Sequence, residues 1–434
     1  MKTLITIILS SFVLFCSCTK LETNHHDIDQ NITNTDSDFT IPIETALQSL
    51  NSILTDKMTD KPEIKKIQSI ESIKDIHTKS TTYPDTLLYI VNFENNSGYA
   101  ILAADSRIKE EILAFADSGN ISTNSILTPY DSTISPIRPT IDYFDEYYNE
   151  YYIGSPQESP EAFILDIATS YAQEQILHFT QPGNITDIHI HPGDNTGTMQ
   201  YPKYVTQYYQ NIKSPLLKTT WHQRFPYNYY IPNQKAAGCV PIAISQILAY
   251  NEWPTQLVID NTTIHWDAIN SSNFTTNNTP AANEAAKLIY MVHMDCETER
   301  WPGGSFTLPY KTAAFLEDYG YINVVKHTGY DENAIITMLD ANKPVFIAAV
   351  QDYIIWNGHG WVIDGYKKLY EKIEWYDYVS DTYIRTSNEF LGYYLNCNWG
   401  NNCSTYVASG IFHSPSGMHY NTWYRIITYD IPNY

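Results

Sequence analysis

The residue best suited to chemistry in this sequence is Cys239, a thiol at the start of a predicted helix. Gly238 before it can hold a tight turn, and Pro241 suits a first helical turn. Apolar residues at helical spacing follow, from Ile244 to Leu248. The N–H groups of a helix N-terminus can lower a thiol pKa from about 8.5 to between about 3.5 and 7.5. The segment predicts a nucleophilic thiolate, and a buried, inert cysteine stays open as the alternative.

A thiolate nucleophile needs a base that returns a proton to the leaving group, and His359 is the best candidate for it. Gly358 and Gly360 clear space around its ring, and the apolar run 361–363 predicts a strand directly after it. His359 lies far along the chain from Cys239, so only the fold can bring the two together. A structural histidine is the usual alternative, and the flanking glycines favour a functional one.

Two further segments hold the other groups that such a site needs. Asn398 could keep the imidazole in the right tautomer, and Trp399 beside it could shield or orient the pair. Upstream of the cysteine, the side-chain amide of Gln223 could donate to an oxyanion together with the backbone N–H of Cys239.

The N-terminal half of the chain reads as a small α+β unit followed by a linker. The spacing of apolar residues predicts a helix at 42–55, and a second helix is expected near 159–178. Two β-rich runs, 86–93 and 99–103, flank a turn sequence and predict a hairpin. The stretch 182–200 is rich in Pro, Gly and Asn and predicts a linker that contains the processing region.

Composition limits the partners. The 434 residues carry 26 Lys and Arg against 48 Asp and Glu, a formal charge of −22, so phosphate repulsion makes nucleic acid a poor partner. Outside residues 1–18 only four cysteines remain, too few for a disulfide-held scaffold, although Cys397 and Cys403 could be joined in an oxidising setting. His189 and His191 lack a nearby third ligand, and no metal is expected.

The first residues predict export. Residues 1–18 place Lys2 before an apolar run that is too short for a comfortable membrane span. The Ser17-Cys18 ending resembles a bacterial lipoprotein signal, in which Cys18 is acylated, and an ordinary secretory signal is the alternative. The polar residues 19–41 predict a tether. We expect a lipid-anchored or secreted protein at the bacterial outer membrane or cell surface, in contact with the membrane through the lipid only.

Four motifs, in their order along the chain, resemble those of the streptopain family, the papain-fold cysteine peptidases of family C10. They are Trp221-x-Gln223-x-x-Pro226-Tyr227-Asn228, Gly238-Cys239-Val240, Gly358-His359-x-x-Val362-Ile363-Asp364-Gly365 and Asn398-Trp399-Gly400. Upstream, the run 87–119 resembles the propeptide of the same peptidases, within a likeness that covers about 42–120.

The resemblance implies an α+β architecture. A papain-like peptidase domain at 201–434, with a helical part and a twisted antiparallel sheet, would follow a propeptide domain and linker at 42–200. The resemblance also implies a dyad of Cys239 and His359, an oxyanion hole that includes Gln223, and endopeptidase activity on protein or peptide substrates. The chain would be a zymogen whose own propeptide inhibits the site until it is cleaved. No cofactor is implied beyond a reducing environment for the thiol.

One departure from the family pattern concerns the last motif, and two other functions stay open. The family commonly continues Asn-Trp-Gly-Trp-Gly-Gly, whereas Asn401-Asn402-Cys403 follows here, which puts the mobility and substrate contacts of this loop in doubt. A catalytically silent surface lipoprotein could keep the fold for binding, although it would not need all four site residues. A cell-wall amidase also places Cys before His, but the N-terminal part resembles a peptidase propeptide.

Overall fold

The described residues cover most of the chain from Phe39 onward. In the computed structural model they are 39–54, 65–74, 86–123, 144–145, 150–151, 153–155, 160–179, 200–270, 273–301, 304–350, 358–400, 403–412 and 424–432. The predicted signal peptide with Cys18, nearly all of the tether, and the linker up to residue 199 lie outside them.

The helices stand in two groups, before residue 180 and after residue 238. They are α1 (Ile43–Leu54), α2 (Pro160–Leu177), α3 (Cys239–Asn251), α4 (Trp266–Asn270), α5 (Pro280–Asp295), α6 (Pro309–Asp318) and α7 (Glu332–Asp340). α1 and α2 lie where the sequence predicted helices. Side chains cap two of the later helices: Thr279 Oγ1 accepts from Ala282 N at 3.2 Å, and Asp331 Oδ1 accepts from Ala334 N at 2.9 Å. In the part of the chain that is described, no helix has the length and apolar character needed to span a membrane.

Strands make up most of the remaining regular structure. They are β1 (Ile67–Ile73), β2 (Leu88–Phe93), β3 (Tyr99–Ala103), β4 (Ile112–Ala116), β5 (Phe144–Asp145), β6 (Glu150–Tyr151), β7 (Ile153–Ser155), β8 (Gln200–Lys213), β9 (Val258–Ile259), β10 (Thr262–Thr263), β11 (Glu299–Trp301), β12 (Gly304–Thr307), β13 (Ile322–Thr328), β14 (Val345–Val350), β15 (Gly358–Asp377), β16 (Tyr383–Gly400), β17 (Cys403–Ala408) and β18 (Arg425–Asp430). The predicted hairpin is formed by β2 and β3, which pair from Leu88 opposite Ala103 to Asn92 opposite Tyr99.

One antiparallel sheet dominates the molecule. Its order is β1-β2-β3-β4-β17-β16-β15-β14-β18-β13, and β8 pairs with the outer part of β15. A large antiparallel sheet accompanied by helices is an α+β fold, as the sequence predicted. The papain-like arrangement and the domain boundary at residue 200 remain predictions, although β8 begins at that residue.

The N-terminal strands continue the sheet of the C-terminal part. β4 pairs with β17, with Phe115 opposite Tyr406, and their two rings stack at 5.2 Å. The Tyr99 hydroxyl lies 2.8 Å from Thr405 Oγ1, and the Tyr394 hydroxyl donates to Ile112 O at 2.7 Å. Strand pairing therefore covers an edge of the sheet that would otherwise expose unpaired backbone groups.

β15 is the strand that positions the predicted site. Near its start it pairs with β14, and Ala349 lies opposite His359. Farther along it pairs with β8, until Asp377 lies opposite Gln200. α3 packs against β15, α4 and α5. The side chains of α3 are buried from Cys239 to Ala249, and each large apolar side chain buried in this way contributes about 1.5–3 kcal/mol.

Candidate active site

Cys239 is the first residue of α3, and the glycine before it determines how the chain enters the helix. Gly238 has a φ of 99°, in the left-handed region that side chains disfavour. A Cβ at this position would lie 3.1 Å from Pro241 Cδ and 3.3 Å from Ser305 Cβ. Conformation and space both favour glycine here, so the turn that presents the thiol depends on it.

The start of β15 brings the residue next to His359 into contact with Cys239. The backbone N–H of Gly360 donates to the Cys239 Sγ at 3.3 Å. A Cβ on Gly360 would lie 3.0 Å from Val240 Cγ2 and 3.2 Å from Phe346 Cε2. The glycine after the histidine therefore allows the strand to approach the N-terminus of α3 closely, and the thiol lies against the residue next to His359.

Aromatic rings surround the imidazole. His359 Nε2 donates to the carbonyl oxygen of Trp399 at 3.4 Å. The ring centroid of Phe163 lies 5.3 Å from that of His359, and those of Trp399 and Trp361 lie at 6.1 and 6.3 Å. Phe163 belongs to α2, so the N-terminal part of the chain covers the histidine.

Burial makes both groups of the pair neutral. It raises the pKa of the Cys239 thiol to about 11, although N–H groups that include that of Gly360 oppose this rise. It lowers the pKa of His359 to about 4. The sequence predicted a lowered thiol pKa, and that prediction is wrong for this form of the protein. Cys239 is 4 % exposed and His359 6 %, and the loss of water outweighs the helix N-terminus.

The side chain of Asn398 is hydrogen-bonded to backbone groups and not to the imidazole. Its Nδ2 donates to the Thr219 carbonyl oxygen at 2.9 Å, and its Oδ1 accepts from Gly400 N at 3.1 Å. The oxygen that faces the imidazole is instead the backbone carbonyl of Trp399. From the sequence, the side-chain amide of Asn398 was expected to fix the tautomer of His359, whereas in the structure the backbone carbonyl of the next residue, Trp399, makes this contact.

Gln223 lies on a loop that contacts the segment before Cys239. Its carbonyl oxygen accepts from Ala237 N at 2.9 Å, and its side chain is partly exposed. Two residues earlier, Trp221 N donates to the Oε1 of Gln246 on α3 at 3.0 Å. The structure therefore brings the backbone of Gln223 beside the nucleophile segment, and the oxyanion role of its side-chain amide stays a prediction.

Two groups that help to build the site were not predicted from the sequence. Asp364 belongs to the motif that begins at Gly358, but no role was predicted for it. Its side chain is buried. Its Oδ2 accepts from Leu217 N at 3.0 Å and its Oδ1 from Asn396 Nδ2 at 2.7 Å, while burial raises its pKa to about 6. Phe163 had no signal of its own, because α2 reads as an ordinary apolar helix.

Cys397 and Cys403 are free thiols, as are Cys239 and Cys296. The disulfide that the sequence left open is therefore not formed in this structure. Both residues are buried on adjacent strands, β16 and β17, and burial raises the pKa of the Cys403 thiol to about 12.

The thiol of Cys239 and the strand that carries His359 meet under a helix from the chain's own N-terminal part. Comparison with protein families then identifies the chain. Residues 221–405 match the model of the Peptidase C10 family, and residues 44–132 match that of the Spi protease inhibitor. The chain belongs to the streptopain-like C10 peptidases and carries their N-terminal propeptide domain. A comparison with curated proteins found no match.

The two matches describe a protease made as a zymogen. The five site residues from Gln223 to Trp399 all lie within the peptidase match. Helix α2, whose Phe163 covers His359, lies between the two matched ranges and belongs to neither.

Proposed function

We propose that this protein is an exported cysteine endopeptidase that hydrolyses peptide bonds through a dyad of Cys239 and His359. The observation that carries the proposal is the hydrogen bond from Gly360 N to the Cys239 Sγ at 3.3 Å, because it joins the thiol to the residue next to the predicted base. Membership of the peptidase family supports the reaction class and protein or peptide substrates.

In the proposed reaction, His359 takes the thiol proton and the sulfur of Cys239 attacks the carbonyl carbon of the scissile bond. The backbone N–H of Cys239 and the side-chain amide of Gln223 stabilise the charge that forms on the carbonyl oxygen. His359 gives the proton to the leaving amine as the C–N bond breaks, which leaves a thioester. A water molecule that His359 deprotonates then hydrolyses the thioester and restores the thiol.

The hydrogen bond of the imidazole supports the role of His359 as the base. Because Nε2 donates to the Trp399 carbonyl oxygen, Nδ1 keeps the lone pair that can accept the thiol proton. Asn398 anchors the end of β16 through Thr219 and Gly400, so we assign it the task of holding that carbonyl in place. The indole ring of Trp399 shields the imidazole from one side.

Latency follows from the cover that α2 provides. A neutral thiol is a poor nucleophile, and burial under Phe163 favours the neutral forms of both Cys239 and His359. Cleavage in the linker and departure of α2 would readmit water to the cleft. The thiolate and the imidazolium would then stabilise each other, and the thiol pKa would fall.

The location is proposed from the sequence alone. Acylation at Cys18 would anchor the chain at the bacterial outer membrane or cell surface. Since the anchor precedes the propeptide, cleavage in the linker 182–200 would also separate the peptidase domain from its lipid. Activation would then produce a secreted enzyme from an anchored precursor.

The proposal is tested with residues 19–434 incubated under reducing conditions, with self-processing followed by mass spectrometry. We expect the parent chain to mature and to hydrolyse casein, and Cys239→Ala and His359→Ala to do neither. Cys296→Ala is the matched control, because Cys296 is equally buried and free but lies at the end of α5.

Casein hydrolysis that survives Cys239→Ala would refute the assignment. A parent chain that stays inert after removal of its N-terminal part, with an unreactive Cys239, would favour the silent surface lipoprotein. Hydrolysis of cell-wall peptides without hydrolysis of casein would favour the amidase.

A further inference from the structure

The segment 234–237, which leads into Gly238 and Cys239, is held by side chains along its whole length. Asn228 Nδ2 donates to its first two carbonyl oxygens, at 2.7 and 3.0 Å. The Ser305 hydroxyl donates to the third at 2.9 Å, and His293 Nδ1 donates to the fourth at 2.8 Å. Four successive backbone oxygens are thus bound by three side chains.

These three side chains come from three separate elements. Asn228 lies in the loop that also carries Gln223, His293 in the last turn of α5, and Ser305 on β12. All three are buried. We call Asn228, His293 and Ser305 the carbonyl clamp. Its donors converge on the end of a short 3-10 turn, Pro232–Gln234, and on residues 235–237, which lie in no helix or strand. The clamp therefore supplies hydrogen bonds that a longer helix or a sheet would otherwise supply.

The clamp also ties the two parts of the proposed oxyanion hole together. The backbone N–H of Ala237 donates to the carbonyl oxygen of Gln223, and the carbonyl oxygen of Ala237 accepts from His293. The backbone N–H and C=O of Ala237, two positions before Cys239, are therefore both hydrogen-bonded. Asn228 links the Gln223 loop to the same segment a second time.

We propose that Asn228, His293 and Ser305 are positioning residues that set the distance between the Cys239 N–H and the Gln223 amide. The inference rests on the proposed peptidase function. A displacement of about 1 Å at a catalytic group can cost roughly 100-fold in rate, so loss of the clamp lowers kcat while substrate binding is retained.

His293 provides the most direct test, because two substitutions differ in one hydrogen bond. In His293→Asn the amide nitrogen takes the place of Nδ1 and can still donate to the Ala237 carbonyl, whereas His293→Leu fills the space without a donor. Tagged parent enzyme would mature each full-length variant and then be removed. We expect kcat to fall roughly 10- to 100-fold in His293→Leu with KM within about twofold, and to recover most of that loss in His293→Asn.

Asn228 provides a second test with a matched control. Asn228→Asp removes the donor to two carbonyls and is expected to lower kcat to a similar extent. Asn251→Asp makes the same change at the other end of α3, where Nδ2 donates to the hydroxyls of Tyr321 and Tyr429 at 3.2 and 3.0 Å. It is expected to lower the Tm and leave kcat unchanged. Equal losses of kcat in Asn228→Asp and Asn251→Asp would overturn the clamp.

Hydrogen exchange on the intact chain separates failure of the clamp from failure of the proposed function. We expect faster exchange at residues 234–239 in His293→Leu, and parental exchange in His293→Asn and Asn251→Asp. An inactive parent with this exchange pattern would refute the proposed peptidase function and support the role of the clamp. Unchanged exchange at residues 234–239 in His293→Leu would refute the proposed role of the clamp, whatever the activity of the parent.

Discussion

At the scale of single residues, the charge state of the site is decided by water and not by position in a helix. Cys239 occupies the helix N-terminus that the sequence predicted, yet burial raises its pKa to about 11. A helix N-terminus contributes about 0.3–1 kcal/mol, and up to about 2 kcal/mol in buried geometries. Desolvation of a thiolate in an apolar site exceeds that, so the same residue can be inert in the covered form and reactive in an open one.

The close approach of β15 to α3 leads to a prediction about Gly360. In Gly360→Ala the new methyl group would meet Val240 and Phe346 at 3.0 and 3.2 Å, and the strand would move away from the thiol. We expect a loss of about 1–3 kcal/mol in the free energy of unfolding and a marked loss of peptidase activity. Urea unfolding and casein hydrolysis measure the two effects.

Gly392→Ala is the control for this change, because a Cβ there meets nothing within 4 Å. It lies on β16, in the same sheet. Parental stability and activity in Gly360→Ala would show that the approach of the strand does not depend on this glycine.

At the scale of elements, helix α2 decides whether the site is covered. Phe163, 8 % exposed, packs on His359, Trp361 and Trp399. A buried Phe→Ala change commonly costs about 3–5 kcal/mol, which would weaken the docking of α2. In the unprocessed chain, we therefore expect Phe163→Ala to raise the rate at which a thiol probe labels Cys239 at least tenfold at pH 7.5.

Phe179→Ala, two residues after the end of α2, is the matched control. Phe179 packs on Phe39 at 5.5 Å, which places its contacts in the N-terminal part itself. Phe179→Ala should leave the labelling rate close to that of the parent. If both variants labelled equally fast, general loosening of the N-terminal part and not the contact with His359 would explain the effect.

The docking of α2 should also depend on pH. Burial lowers the pKa of His359 to about 4, whereas an open imidazole titrates near 6.5. In Cys239→Ala, where no thiol proton enters the balance, the open form binds a proton between these values that the covered form does not, so docking weakens as pH falls, by up to about 3 kcal/mol. Hydrogen exchange at the α2 amides, corrected for intrinsic rates, should accelerate from pH 7 to pH 5 in Cys239→Ala and much less when His359→Gln is added to it.

Global unfolding is a poorer measure of this effect, because the pKa of Asp364 is raised in the folded protein whereas that of His359 is lowered. Its raised pKa of about 6 makes the folded catalytic part bind a proton more readily than the unfolded chain, so stability from this group rises as pH falls through 6. The carboxylate of Asp364 accepts hydrogen bonds from Leu217 and Asn396, and neither residue belongs to α2. An α2 exchange rate in Cys239→Ala that shows no pH dependence beyond the intrinsic one would contradict the role of His359.

At the scale of the whole molecule, the register of β8 on β15 separates the end of the linker from the site. Gln200 pairs with Asp377, at the opposite end of β15 from His359. At about 3.3 Å per residue, the strand between His359 and Asp377 spans roughly 60 Å. Ten extended residues reach at most about 35 Å, so a bond within ten residues before Gln200 cannot reach its own Cys239.

Cleavage near the end of the linker is therefore expected to occur between molecules. Tagged Cys239→Ala chains mixed with parent enzyme should be cut at the same bond as the parent, although they do not mature alone. The half-time of parental maturation should shorten as the protein concentration rises, as followed by mass spectrometry. A half-time that stays constant over a 100-fold dilution would contradict transfer between molecules.

Local pattern was enough to locate the candidate nucleophile and base. Gly238 and the apolar stripe of α3 are neighbours of Cys239, and the run after His359 is a strand in the structure as predicted. The partners of these residues could not be located in this way. Phe163 and His293 lie far from the site in sequence, and neither carries a pattern that distinguishes it from an ordinary core residue.

The sequence by itself determined the local elements, the order of the motifs and the family, because these depend on residue type and spacing along the chain. Tertiary structure decided which groups meet and which are shielded from water. The position of Cys239 at a helix N-terminus would by itself lower its thiol pKa, but burial raises it. Burial also lowers the pKa of His359, which keeps the imidazole neutral. The physical reason is that desolvation depends on every element packed around a group, and here one of those elements is α2, from a part of the chain remote in sequence.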